Sequence, residues 1–109
     1  MMDEQEFQTR CEAALSRLFR DLSKASDAHD FEVDLNSGAL TVEFEEPRAK
    51  FVVSPNSPVR QIWVSALTKS FKLDWNADRG EFVLPDSGAS LHALMADVIS
   101  QQMGETVQL

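Results

Sequence analysis

The sequence predicts an α+β fold, with two helices packed on one face of an antiparallel sheet of about six strands and the other face open. Three observations carry this prediction. Apolar residues recur at three- and four-residue intervals near both ends of the chain, and at two-residue intervals between them. The alternating runs are joined by short connections, which makes neighbouring strands antiparallel. Two helices can cover only one face of such a sheet, so its other face meets solvent. At 109 residues the chain is expected to form one domain over 1–109.

Residues 3–24 read as an amphipathic helix. Asp3 with Glu6 three positions on is a capping-box pattern, which satisfies N–H groups that the first turn leaves unpaired. Phe7, Cys11, Ala14, Leu15, Leu18 and Leu22 then form one apolar stripe. Cys11 lies on that stripe and reads as a small core residue, because free cysteines are usually buried.

From Phe31 the period changes to two. Phe31, Val33 and Leu35 alternate with Glu32, Asp34 and Asn36; after Ser37-Gly38, Leu40, Val42 and Phe44 alternate with Thr41, Glu43 and Glu45. A two-residue Ser-Gly loop puts Asn36 opposite Ala39, then Leu35 opposite Leu40, Val33 opposite Val42 and Phe31 opposite Phe44. The apolar residues thus share one face, which supports that register. Further strands are expected over 48–54, 59–66 and around Phe71, Leu73 and Trp75, with Glu81–Leu84 after the Asn76–Gly80 turn. Asp86-Ser87-Gly88 is expected to open a second helix, with Leu91, Leu94, Met95, Val98 and Ile99 inward and Gly104 at its end.

The charge is unevenly placed. Residues 1–46 hold twelve acids and four Lys or Arg, whereas residues 47–109 hold six of each, so the net charge of −8 resides in the first 46 residues. Such a chain repels phosphate backbones and anionic lipid, which argues against nucleic-acid and membrane partners. The N-terminus lacks the basic and apolar regions of a secretory leader, and no apolar run approaches a membrane span, so a cytoplasmic protein is expected. A single cysteine neither forms an internal disulfide nor supplies the ligand set of an iron–sulfur cluster held by this chain.

The open face gathers the acids. The hairpin register sets Glu32 against Glu43 and Asp30 against Glu45, with Asp34 beside them, and Asp21 and Asp27 at the helix exit extend the cluster. Like charges facing across a ladder destabilise by roughly 0.2–1 kcal/mol each, so folding does not ask for them. On this reading Glu43→Gln stabilises the fold slightly at low salt. Carboxylates supply hard oxygen ligands for cations such as iron, manganese or calcium, or they meet an Arg-rich partner, or they simply solvate the surface.

Other groups offer less. His29, beside Asp30, reads as a loop histidine in solvent, with accessory metal ligation as the alternative. His92 finds no acidic or cysteine partner at ligand spacing and is given no role. Trp63 alternates with Ile62 and Val64 and so points to the open side, where an aromatic serves as an interface anchor unless a neighbouring segment covers it. No phosphate-cradling glycine loop, nucleophile elbow or zincin spacing is present, and no enzyme is expected.

Taken in order, four segments resemble the bacterial frataxins of the CyaY type. They are Asn36-Ser37-Gly38-Ala39-Leu40-Thr41 after an acidic strand, Pro58-Val59-Arg60-Gln61-Ile62-Trp63-Val64, Gly80-Glu81-Phe82, and the tail Gln101-Gln102-Met103-Gly104-Glu105-Thr106-Val107. The resemblance spans nearly the whole chain. It implies a frataxin-like α–β–α sandwich and weak binding of ferrous or ferric iron by surface carboxylates on an acidic ridge of the first helix and first strand, here Asp21, Asp27, Asp30, Glu32 and Asp34, to which the hairpin register adds Glu43 and Glu45 as candidate metal ligands. It further implies a regulator or adaptor in iron–sulfur cluster assembly that docks an acidic surface, including Glu32 and Asp34, on a basic patch of the cysteine desulfurase. Trp63 and Gln61 would face the scaffold protein. A monomer is implied, with iron-dependent oligomerisation, ferrous-iron oxidation or storage, and a metal-free acidic adaptor as alternatives. Ser23, Lys24, Ala25, Ser26 and Ala28 interrupt the acidic run that bacterial relatives often carry, which shifts the weight to the strand acids.

Overall fold

The computed structural model describes residues 2–109; Met1, the first residue of the expected 1–109 span, lies outside the described residues. The chain runs α1 (Glu4–Ser26), β1 (Glu32–Asn36), β2 (Ala39–Glu45), β3 (Arg48–Asn56), a short 3-10 turn (Ser57–Val59), β4 (Gln61–Ala66), β5 (Lys69–Asn76), β6 (Glu81–Val83) and α2 (Leu91–Met103). The six strands form one antiparallel sheet in sequence order. This is the α+β architecture the periodicities predict.

Helix α1 begins where its cap places it. The Asp3 carboxylate accepts the Glu6 backbone N–H at 2.7 Å. The reciprocal half of the capping box is absent, because Glu6 turns to Arg10, whose Nε lies 3.0 Å from its carboxylate. Phe7, Cys11, Leu15, Leu18 and Leu22 are buried on one stripe. Cys11 is 2% exposed, and burial, with Glu12 nearby, pushes its thiol up to about 12, so it stays protonated as a core residue.

The β1–β2 hairpin has the expected register, with Val33 opposite Val42, Leu35 opposite Leu40 and Asn36 opposite Ala39. Ser37 and Gly38 both take positive φ, +54° and +81°, the backbone a two-residue turn needs to match the strand twist. Leu40, Val42, Phe44, Phe51, Val53, Ile62, Val64 and Leu73 all point into one core shared with α1 and with Leu94, Met95, Val98 and Ile99 of α2. The alternate strand residues face away from the helices.

Several boundaries differ from expectation: α1 runs past residue 24 to Ser26, and β6 stops at Val83, one residue short of Leu84. Val59 and Arg60 belong to a turn and not to β4: Pro58 holds the 3-10 geometry, and Arg60 closes it with φ +53° and its N–H on the Ser57 carbonyl. Strand β3 continues past Ser54 to Asn56, opposite Gln61. Helix α2 is capped by Ser90, whose hydroxyl accepts the Ala93 N–H at 3.1 Å, and not opened by Asp86-Ser87-Gly88. That tripeptide forms a turn, because Gly88 has φ +77° and its N–H bonds back to the Leu84 carbonyl. Gly104 ends α2 in the left-handed conformation, as expected.

Candidate functional site

Two surfaces occupy opposite halves of the open sheet face. The first is built by β1, β2 and β3. Strand alternation sends Glu32, Glu43, Glu45 and Lys50 outward, and all four are exposed. Glu32 and Glu43 are direct ladder partners, as the alternation requires. Asp30 precedes β1, so its expected pairing with Glu45 is not a ladder pair. The Phe31 and Phe44 rings, 5.9 Å apart, still bring the two segments together. Asp30, Glu32, Glu43 and Glu45 line one shallow groove of about 490 Å³.

The same groove holds two bases that reasoning from the first hairpin alone did not connect to it. Lys50 is the ladder partner of Glu43, and Arg48 that of Glu45. Their signal lay in the next connection: Glu46-Pro47 is a two-residue link, which fixes β3 against β2. Glu43 therefore stands between a like charge and an opposite one. Among the described residues the four groove acids make no side-chain hydrogen bond or ion pair within 4.0 Å, and no group of three or more His, Cys, Asp or Glu stands at metal-holding spacing. These carboxylates are hard donors of the type iron takes, arranged as an open surface and not as a closed cage.

The remaining predicted acids lie elsewhere. Asp34 is exposed on the same face, opposite Thr41. Asp27 is exposed at the end of α1. Asp21 is not brought to the groove. It accepts from Arg20 Nε at 3.1 Å and lies 2.9 Å from His92 Nε2 on α2, and these partners, Arg20 first, hold its carboxyl below the usual carboxylate range.

Both histidines depart from expectation. His92, given no role, ties α2 to α1 through Asp21. His29 is not a histidine in open solvent: its ring is stacked on Phe31 and its Nδ1 contacts the Glu105 carboxylate of the C-terminal tail. Each pairing joins residues more than seventy positions apart, so no local pattern announces it.

The second surface lies on β4 and β5. Trp63 is 38% exposed. Its indole N–H donates to Gln61 Oε1 at 2.9 Å, and the Gln61 amide donates in turn to Asp74 Oδ1 at 3.0 Å. Lys72 Nζ sits 4.9 Å from the indole centroid. The register explains the grouping, since Gln61 pairs with Asp74 and Trp63 with Lys72 on the outward side of neighbouring strands. An aromatic plate is thereby fixed in orientation, with Lys72 over its ring and much of the indole still open to solvent.

A model of the frataxin-like domain matches residues 1–105. The chain belongs to the frataxin-like family, of the bacterial CyaY type. Among its relatives, the iron-sulfur cluster assembly protein CyaY of Paraburkholderia xenovorans is 36% identical over 106 residues, spanning 97% of this chain and 96% of that one. The corresponding CyaY of Cupriavidus metallidurans is 30% identical over 109 residues, spanning 99% and 96%. Among solved structures, the frataxin from Psychromonas ingrahamii superimposes with a TM-score of 0.77 at 25% identity, over 98% of this chain and 97% of that one. Yeast frataxin, at 22% identity and a TM-score of 0.71 over 92% and 82%, shares the fold. In this frataxin-like chain no described helix is long and apolar enough to cross a membrane.

Proposed function

We propose that this chain is a non-enzymatic accessory of iron–sulfur cluster assembly, the process for which its CyaY relatives are named. In this reading iron is a loosely held cargo or effector. The carboxylates of Asp30, Glu32, Asp34, Glu43 and Glu45 attract it, and the same surface docks on a basic patch of a cysteine desulfurase. The Trp63–Gln61 plate faces the scaffold protein. One observation carries the proposal: Asp30, Glu32, Glu43 and Glu45 crowd one groove of the open face, with Glu32 and Glu43 directly opposed at a cost to the ladder. Four carboxylates against the two bases Arg48 and Lys50 leave the groove net negative, which suits a cationic partner.

The donor set also bears on mechanism. Oxidising or storing iron catalytically calls for a preorganised pair of metal sites, such as paired Glu-x-x-His ligands. Flat, exposed carboxylates exchange their cation readily and suit attraction and release. The test is a desulfurase pull-down with purified components. Glu32→Lys combined with Asp34→Lys should abolish capture at moderate salt while the melting curve stays cooperative, and undiminished capture would refute electrostatic docking. Anaerobic calorimetric titration with ferrous iron should show weak binding that this variant loses, and aerobic iron oxidation should proceed no faster than in buffer.

A further inference from the structure

A groove of about 190 Å³ lies on the helix side of the molecule, between α1, the start of α2 and the β5–β6 turn. Its α1 wall is Arg10, Ala13, Ala14 and Arg17, which are residues i, i+3, i+4 and i+7 of one helix face. Two turns of helix separate the two arginine Cα atoms by about 10 Å. The alanines between them are too small to fill the space, so the pattern is cation, apolar floor, cation.

The charges around this groove are unequally satisfied. Arg10 is steadied on two sides, by Glu6 at its Nε and by the Trp75 ring 4.4 Å beneath its guanidinium, yet its Nη groups have no hydrogen-bond partner among the described residues. Arg17 makes no ion pair among the described residues, on a chain whose net charge is −8. The two other ionisable groups of the lining are already engaged, Glu81 by Arg79 and His92 by Asp21. The groove therefore presents two guanidinium forks to an anion and no uncompensated carboxylate.

We propose that this groove binds a small dicarboxylate, one carboxylate at Arg10 and the other at Arg17, with its methylene spacer over Ala13 and Ala14. A guanidinium takes a carboxylate through paired N–H donors, which gives geometry as well as charge. A compact monoanion reaches one fork only, and an inorganic phosphate leaves the apolar floor uncovered. Two guanidinium groups flanking an apolar floor thus favour an anion charged at both ends and apolar between them. The site is separate from the acidic groove and does not depend on the function proposed above.

The test is a titration of ¹⁵N-labelled protein with glutarate, with acetate and inorganic phosphate as comparators at matched ionic strength. Saturable shifts of the residue 10–17 amides and the Trp75 indole are expected, with both comparators weaker by about tenfold or more. Arg17→Gln should weaken glutarate by about tenfold, since losing a charge-assisted pair of bonds has that effect. Ala13→Leu keeps both cations and fills the floor, and it should abolish binding. Both positions are exposed, so a dispersed spectrum will show that the fold survives. No saturable shift at millimolar glutarate would overturn the proposal. So would equal binding of acetate or phosphate, or normal binding by Ala13→Leu, each of which marks a diffuse cationic patch.

Discussion

The two halves of the open sheet face are made in the same way and finished differently. In both, strand alternation sends polar side chains outward from an apolar core. On β4 and β5 these side chains hold one another: Trp63 to Gln61, Gln61 to Asp74, and Lys72 over the indole. On β1 and β2 the carboxylates hold nothing within hydrogen-bond reach among the described residues, and Glu32 opposes Glu43. The contrast separates two kinds of recognition. A fixed aromatic plate loses little conformational freedom on binding and rewards close fit. Unbonded charges act over the roughly 8 Å that physiological salt allows, speeding encounter more than they fix a pose.

After the loss of desulfurase capture expected for Glu32→Lys with Asp34→Lys, the next largest effect comes from removing the plate. Trp63→Ala should weaken a complex containing the scaffold protein by about 30-fold, the loss typical of a central aromatic anchor, with little change in salt dependence. Charge reversal at Glu32 and Asp34 should do the opposite, slowing association with the desulfurase and flattening its salt dependence. Surface-plasmon kinetics between low and physiological salt will distinguish the two. If Trp63→Ala alters the salt slope and the charge reversal does not, the division between the halves is wrong.

Asp21 sharpens the comparison, because it is an acid that the fold has organised. Its carboxyl is held low by Arg20 and His92, so it contributes stability that is present above its unfolded value, near pH 4, and lost as pH falls through its lower folded value. Asp21→Asn should therefore lower the urea midpoint at pH 7 and leave it unchanged at the acid end. An equal loss at both ends would show that packing, not charge, is responsible. The smallest effect is expected at Glu43. Losing repulsion from Glu32 and attraction from Lys50 together should move stability by less than about 0.5 kcal/mol, and not produce the gain that the first hairpin alone suggests. Chemical denaturation at low salt will decide it.

What was legible in the sequence follows the range of the interaction. The β1–β2 register was readable from Glu32 to Ala39, because alternation and a Ser-Gly turn are local and agree with each other, while the expected pairs beyond it, Phe31 with Phe44 and Asp30 with Glu45, fall outside the ladder. The outward placement of Trp63 followed from the same period. The start of α2 was misread because Asp86-Ser87-Gly88 offers good capping residues, while the true cap, Ser90, has Ala93 in place of the acid or amide that would complete a capping box. The bases beside the acids were within reach, had the register been carried across Glu46-Pro47 to β3. The histidine pairings were not, since Asp21 meets His92 only once two helices have packed.

Strand β1 has one further property, which follows from its position at the margin of the sheet. One side of its backbone has no strand partner, and such a margin invites pairing with another molecule unless something repels it. The opposite margin, β6, is only three residues long and offers little template. On β1 the exposed acids Glu32 and Asp34 would oppose such pairing between two copies through like-charge repulsion. Glu32→Gln with Asp34→Asn should therefore self-associate with rising concentration, which light scattering will register. The residues proposed to draw a cationic partner would then also be the ones that keep the protein apart from itself.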